Sequence, residues 1–412
     1  MSKANGPTAK PVPPAKPAPA GGAAVRPLHV VQLNAAYTAA VRSPEQLLER
    51  YDTLTGWAGA VRDAGARVTV VQRFSCDARV EHEAVSYLFA EDGGAPLPGA
   101  TWTAASLVTV VRALAPDVVH VNGLMFPGLV VALRRALPTR VAIVAQDHAG
   151  YDPPRSRSIW EFGRRHVWRA GFAALDACSF TAEEQAAPWI ESGYLDRSRV
   201  IVVLESSTTL SGEPRAQARA SIGMHAAPAI VWVGRLDTNK DPETALKGLA
   251  VAFERVCTGR LWMLYQASPL EADVRRFLAR SPRLADRVTL VGLVPHARVA
   301  SYLSAADLYL SGSHREGSGY ALIEAMACGV VPVVTDIPSF RAITGGCGSL
   351  WAAGDHLACA EALVRASASD LEAGRARVEQ RFDAALTWRA IGKRTLSAYT
   401  ELAARRAAGA VL

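Results

Sequence analysis

A chain of 412 residues is too long for one ordinary hydrophobic core, because single cores stop growing near about 250–300 residues, so two domains are expected. Half of the residues are apolar, enough for two cores. Every apolar run is broken by Arg, Asp or Pro before the roughly 18 residues of a membrane span, which argues against a spanning helix. The net charge of +7 is modest and three of its cations, Lys3, Lys10 and Lys16, lie in the leader, so nucleic acid is not an expected partner.

Residues 1–26 contain PTAKPVPPAKPAPAGGAAV and read as an extended Pro/Ala-rich tail without the apolar stretch of a secretory signal. The expected location is cytoplasmic. From Pro27 onward, LHVVQLN, ARVTVVQRF, DVVHVNG, RVAIVAQDHA, DACSF and RVIVVLES read as strands, with PEQLLERYDTLTGWAGAVRDAG and TWTAASLVTVVRALAP as helices between them. After a Gly/Pro-bearing polar stretch between Leu210 and Pro228 the pattern restarts with AIVWVGRL, RLWMLYQA, RVTLVGLVP, DLYLSGS and VPVVTD.

Near-continuous apolar strands alternating with helices indicate parallel sheets covered on both faces. The expected architecture is α/β, with two Rossmann-like doubly wound domains facing across a cleft. Predicted limits are 27–210 and 211–385, followed by a helix at 386–412. Ligands of such folds sit beyond the carboxyl ends of the strands, so chemistry is sought there.

The six cysteines, Cys76, Cys178, Cys257, Cys328, Cys347 and Cys359, form no C-x-x-C pair and suggest neither zinc nor a disulfide framework. The stretch SHREGSGYALIEAMACGVVPVVTD, residues 313–336, is more telling. Gly317 and Gly319 let the backbone approach a ligand, and the N–H groups opening the next helix suit an anion. Glu316 and Glu324 flank that point with seven residues between them, and one carboxylate can accept two hydroxyls of a vicinal diol. Glu324 lies in very apolar sequence, where an unpaired carboxylate is costly, so it requires a partner. Arg235 and Lys240 follow the strand AIVWVG and can neutralise a diphosphate as it departs.

The ordered set VGRL-x4-KD, VGLVPH, REGSGYALIEAMACG and PVVTDIPS resembles the donor-binding half of the retaining family 4 glycosyltransferases of the GT-B fold, densely from Ala229 to Asp355. The resemblance implies a hexosyltransferase using a nucleotide-diphosphate sugar as substrate and no cofactor. It implies that Glu316 holds hydroxyls of the donor hexose, Glu324 the ribose diol, and Arg235 and Lys240 the diphosphate. Gly234, the backbone of Gly317, Ser318, Gly319 and Tyr320, and the loop Gly292 to His296 beside the base would complete the donor site. No Asp-x-Asp occurs, so metal independence is expected.

His148 in QDHAG resembles the family's strand-end histidine on the transferred sugar. NAAYTAAVRS departs from the Gly-Gly loop of many members, and Glu205 in VVLESST reads as a residue that caps or pairs. The segment Arg155 to Arg169 gathers five arginines and two tryptophans and would suit a phosphate-bearing acceptor or the inner face of an anionic membrane. The resemblance implies an acceptor that is a small molecule, a glycan or a lipid. Two rivals stand beside this reading. A nicotinamide oxidoreductase is opposed by the lack of any G-x-G-x-x-G, and a nucleotide-sugar-binding scaffold without turnover is opposed by the presence of all four charged candidates.

Overall fold

A computed structural model describes residues 26–93, 97–148, 152–154, 159–256, 258–266 and 269–409, with the side chains of 159–164 left aside. Most of the leader and Cys257 lie outside these residues. The other five cysteines are free thiols.

Among the described residues the strands form two sheets. The first contains β1 (His29–Asn34), β2 (Arg67–Phe74), β3 (Ala78–His82), β4 (Val85–Glu91), β5 (Val118–Asn122), β6 (Ala142–Gln146), β7 (Ala177–Phe180) and β8 (Val200–Val202), in the order β3-β4-β2-β1-β5-β6-β7-β8. The second contains β9 (Ala229–Gly234), β10 (Arg260–Tyr265), β11 (Val288–Gly292), β12 (Leu308–Ser311), β13 (Val331–Thr335) and β14 (Ser349–Trp351), in the order β11-β10-β9-β12-β13-β14. The strand order reverses between β1 and β5 in one sheet and between β9 and β12 in the other. These are the switch points where such folds bind ligands.

The apolar strands are parallel and buried on both faces, which is why they carry so few polar letters. Three features depart from the sequence reading. β3 pairs antiparallel with β4 through a turn at Glu83 and Ala84, both at positive φ, so the hairpin lacks the Asn-Gly that would announce it. β14 is a three-residue edge strand, too short to show a period. The predicted first helix is two, Pro44–Arg50 and Asp52–Asp63, broken at Tyr51.

The terminal helix Trp388–Ala407 packs on the helix Asp52–Asp63, where Gly392 lies directly on the Ala60 carbonyl and Gly56 on the Trp388 ring. Its Tyr399 hydroxyl bonds Nδ1 of His120, and both residues are buried. Of the Arg155 to Arg169 segment, residues 155–158 and the side chains to 164 fall outside the described set. Trp168 is core, its ring 6.1 Å from Phe172, and does not face a membrane. No described helix is long and apolar enough to cross a bilayer.

Burial lowers His120 from 6.5 to about 3, and burial together with Arg67 lowers His29 to about 4. Both are neutral when folded, whereas the unfolded chain takes up their protons below about pH 6.5. Their contribution is therefore intact above pH 6.5 and is lost as pH falls toward 4 for His29 and 3 for His120, at up to about 1.4 kcal/mol per pH unit each. The urea midpoint is expected to fall between pH 6.5 and 4.5, and His120→Gln to make that fall shallower by one proton's worth. Equal slopes would contradict it.

Candidate functional site

Because β9 and β12 are neighbours, the loops that leave their carboxyl ends run side by side. Gly234 closes β9 with the Lys240 stem packed over it, and residues 235–241 turn into a helix capped by the Asp241 carboxylate, which accepts from Thr244 N–H at 3.1 Å. Residues 312–319 leave β12. The two loops are joined by His314 N–H to the Asn239 carbonyl at 2.8 Å and by Asn239 Nδ2 to the Arg315 carbonyl at 3.0 Å. On this support Lys240 Nζ donates to Glu316 Oε1, the two side chains being 19% and 14% exposed. Arg235 joins neither of them, since its guanidinium, 59% exposed, rests 2.9 Å from Asp237 on its own loop.

Gly317 is buried and Gly319 is left-handed, at φ 60°. A side chain at Gly319 would be strained and would strike Ile343. This turn launches the helix Tyr320–Ala327, whose opening N–H groups have no side-chain cap. One turn later Glu324 is buried, and His296 supplies its partner with Nε2 2.6 Å from Oε1. His296 arrives through the turn at Gly292, φ 76°, which ends β11. Burial pushes the Glu324 carboxyl above its usual range, and the hydrogen bond and charge of His296 offset part of this. Tyr320 stacks on His296 with ring centroids 6.4 Å apart, and its hydroxyl donates to Asp52 Oδ2 at 2.7 Å in the other half of the chain.

Opposite lies a cavity of about 380 Å³ at the β1/β5 switch point. It is lined by strand-end residues of the first sheet, by the start of the helix Asp52–Asp63, and by Ser318 and Tyr320 from the second half. His148 stands in it half-exposed, its Nδ1 against Glu205 Oε2 and its Nε2 against Asn122 Oδ1. Burial opposes its charge, but Glu205 and then Asp147 outweigh that and hold its pKa above the usual value. The candidates therefore form two groups, Lys240 with Glu316 and Tyr320 with Glu324, with His148 across the cleft from Ser318 and Tyr320.

Residues 227–369 match the family Glycosyl transferases group 1, and residues 53–203 match Glycosyltransferase Family 4, so the two matches fall one on each sheet. The chain thus carries glycosyltransferase domains in both halves, group 1 on the second sheet and Family 4 on the first. It is 36% identical over 123 residues to a D-inositol 3-phosphate glycosyltransferase of Segniliparus rotundus, covering 29% of this chain and 27% of that one. It is 27% identical over 229 residues to a GDP-mannose:cellobiosyl-diphosphopolyprenol alpha-mannosyltransferase of Xanthomonas campestris, covering 54% and 57%. The chain thus spans about a quarter to just over half the length of these curated relatives.

Two solved structures share the GT-B fold. The sucrose-phosphate synthase of Thermosynechococcus elongatus has TM-score 0.66 and 22% identity over 91% of this chain and 99% of its own. The starch synthase IV catalytic domain of Arabidopsis thaliana, bound to ADP and acarbose, has TM-score 0.64 and 13% identity over 93% and 100%.

Several residues at this cavity and its border were not legible in the sequence. Gln32, Asn34, Asn122 and Gln146 line the cavity and Asp52 ties the halves together. The signal available was a polar letter inside an otherwise apolar parallel strand, as in HVVQLN, VVHVN and AIVAQ.

Proposed function

We propose that the chain transfers a hexose from a nucleoside-diphosphate sugar to a hydroxylated acceptor, with retention at the anomeric carbon and without a bound metal. The observation that carries this reading is the Lys240–Glu316 pair on joined loops at the β9/β12 switch point, next to a glycine turn whose Ser318 and Tyr320 border the opposite cavity. Glu324, buried and bonded on one oxygen by His296, has capacity left for the ribose diol. Lys240 and Arg235, with the amides of residues 317–320, would bind the diphosphate and stabilise the charge that grows on it as the glycosidic bond breaks. Glu316 would hold hexose hydroxyls, and the departing phosphate oxygen would take the acceptor proton on the same face of the sugar. His148, fixed by Glu205 and Asn122, would hold the transferred ring from the acceptor side. The unpaired described cysteines are in keeping with a reducing, cytoplasmic setting.

A panel of UDP, GDP and ADP tests the donor site. One of them is expected to raise the thermal midpoint of the protein, because a ligand of the folded state alone stabilises it. Glu324→Ala is expected to weaken that nucleotide at least tenfold while leaving the unliganded midpoint near that of the parent. No shift from any nucleotide would sink the reading. Release of nucleoside diphosphate from the matching nucleotide sugar, with and without acceptor, separates an enzyme from a binding protein without turnover.

A further inference from the structure

The cavity opposite the Lys240–Glu316 pair contains neutral hydrogen-bonding groups that have no partner. Gln32 and Asn34 on β1 are 3% and 5% exposed, and Oε1 of the first and both amide atoms of the second make no hydrogen bond. Buried amides left open in this way carry a cost that hydrogen bonds from a ligand or from water in the cavity remove. Each amide both donates and accepts, which matches a hydroxyl, itself a donor and an acceptor, better than it matches a group that only accepts. Around them stand the rings of Tyr37, Tyr51, Trp57 and Tyr320, which supply apolar lining beside the amides, as the C–H side of a sugar ring requires.

The charges point the same way. Glu205 presents a buried carboxylate to this cavity, and the lining histidine, His148, is already paired with it. No Lys or Arg is among the described lining residues, and the nearby Arg73 is held behind the wall, 2.7 Å from Asp92. Among the described lining residues, a phosphate on the bound ring would face the Glu205 carboxylate and no Lys or Arg.

Resting on the transferase reading, we infer that the acceptor presents to this cavity an uncharged polyhydroxyl ring, a pyranose or cyclitol bearing no phosphate on the ring itself. Asn34 and Gln32 grip its hydroxyls, and its reacting hydroxyl points toward the Ser318 and Tyr320 rim. The volume, about 380 Å³, suits one such ring within the usual range of small-molecule pockets, roughly 300–1,000 Å³.

Direct binding to the full chain, followed by ligand-observed NMR with the preferred nucleoside diphosphate present and absent, tests this. The probes are methyl glucoside, methyl mannoside and myo-inositol, set against glucose 6-phosphate and an inositol monophosphate. At least one neutral ring is expected to bind at least tenfold more tightly than either phosphate ester. Asn34→Ala should weaken it at least tenfold while the nucleotide-induced thermal shift stays unchanged. Tighter binding of a phosphate ester, no binding of any neutral ring, or an Asn34→Ala variant equal to the parent would overturn the inference. Because the nucleotide shift is read separately, its presence with any of these outcomes sinks this inference alone, whereas its absence sinks the donor reading.

Discussion

Lys240→Ala is expected to lower turnover by about two to three orders of magnitude, the loss seen when one preorganised donor to a developing oxyanion is removed. Lys240 is mostly buried, its loop is tied to residues 314–316 at several points, and Glu316 keeps its ammonium in place before any donor arrives. Little reorganisation is then needed as charge grows on the departing phosphate. The effect belongs in kcat more than in KM, because the growing charge is felt more strongly in the transition state than in the bound donor. Steady-state kinetics with sugars of the nucleotide found in the donor panel would show it. Unchanged kcat would remove Lys240 from the chemistry. Arg235, exposed and held by Asp237, provides the comparison within the same loop.

Asp176→Ala is expected to destabilise the protein by about 3–5 kcal/mol, the cost of leaving buried charges without their partner. Asp176 is fully buried ahead of β7, where its carboxylate accepts from Arg134 Nη2 at 2.6 Å and Ile143 N–H at 2.7 Å and from the Arg406 guanidinium. Arg406 belongs to the terminal helix, so the loss should loosen that helix from the first sheet before the rest of the chain unfolds. Urea titration would give the free energy, and hydrogen exchange would locate the early protection loss at residues 388–407. A midpoint like the parent's, or exchange lost elsewhere first, would contradict this account.

The α/β character and most of the parallel strands were legible in the sequence, because runs such as HVVQLN and AIVWVG are apolar through their length and meet neighbours of the same kind. β3 was not legible, since its hairpin turn is Glu83-Ala84 and the residues that make φ positive cheap are missing there. The need of Glu324 for a partner could be read from its apolar surroundings, but the partner could not. His296 reaches it only because the turn at Gly292 swings that loop over the helix Tyr320–Ala327.

What the sequence determined by itself was local: where the chain extends, where it coils, where glycine permits a left-handed turn, and the spacing of Glu316 and Glu324 along one loop and helix. Only the tertiary structure decided which of these distant pieces meet. Lys240 and Glu316 are 76 residues apart, Tyr320 and Asp52 are 268 apart, and His120 and Tyr399 are 279 apart. The reason is that backbone preference and hydrophobic period act over a few residues, whereas a hydrogen bond between remote side chains exists only once sheet order and packing have brought their elements together.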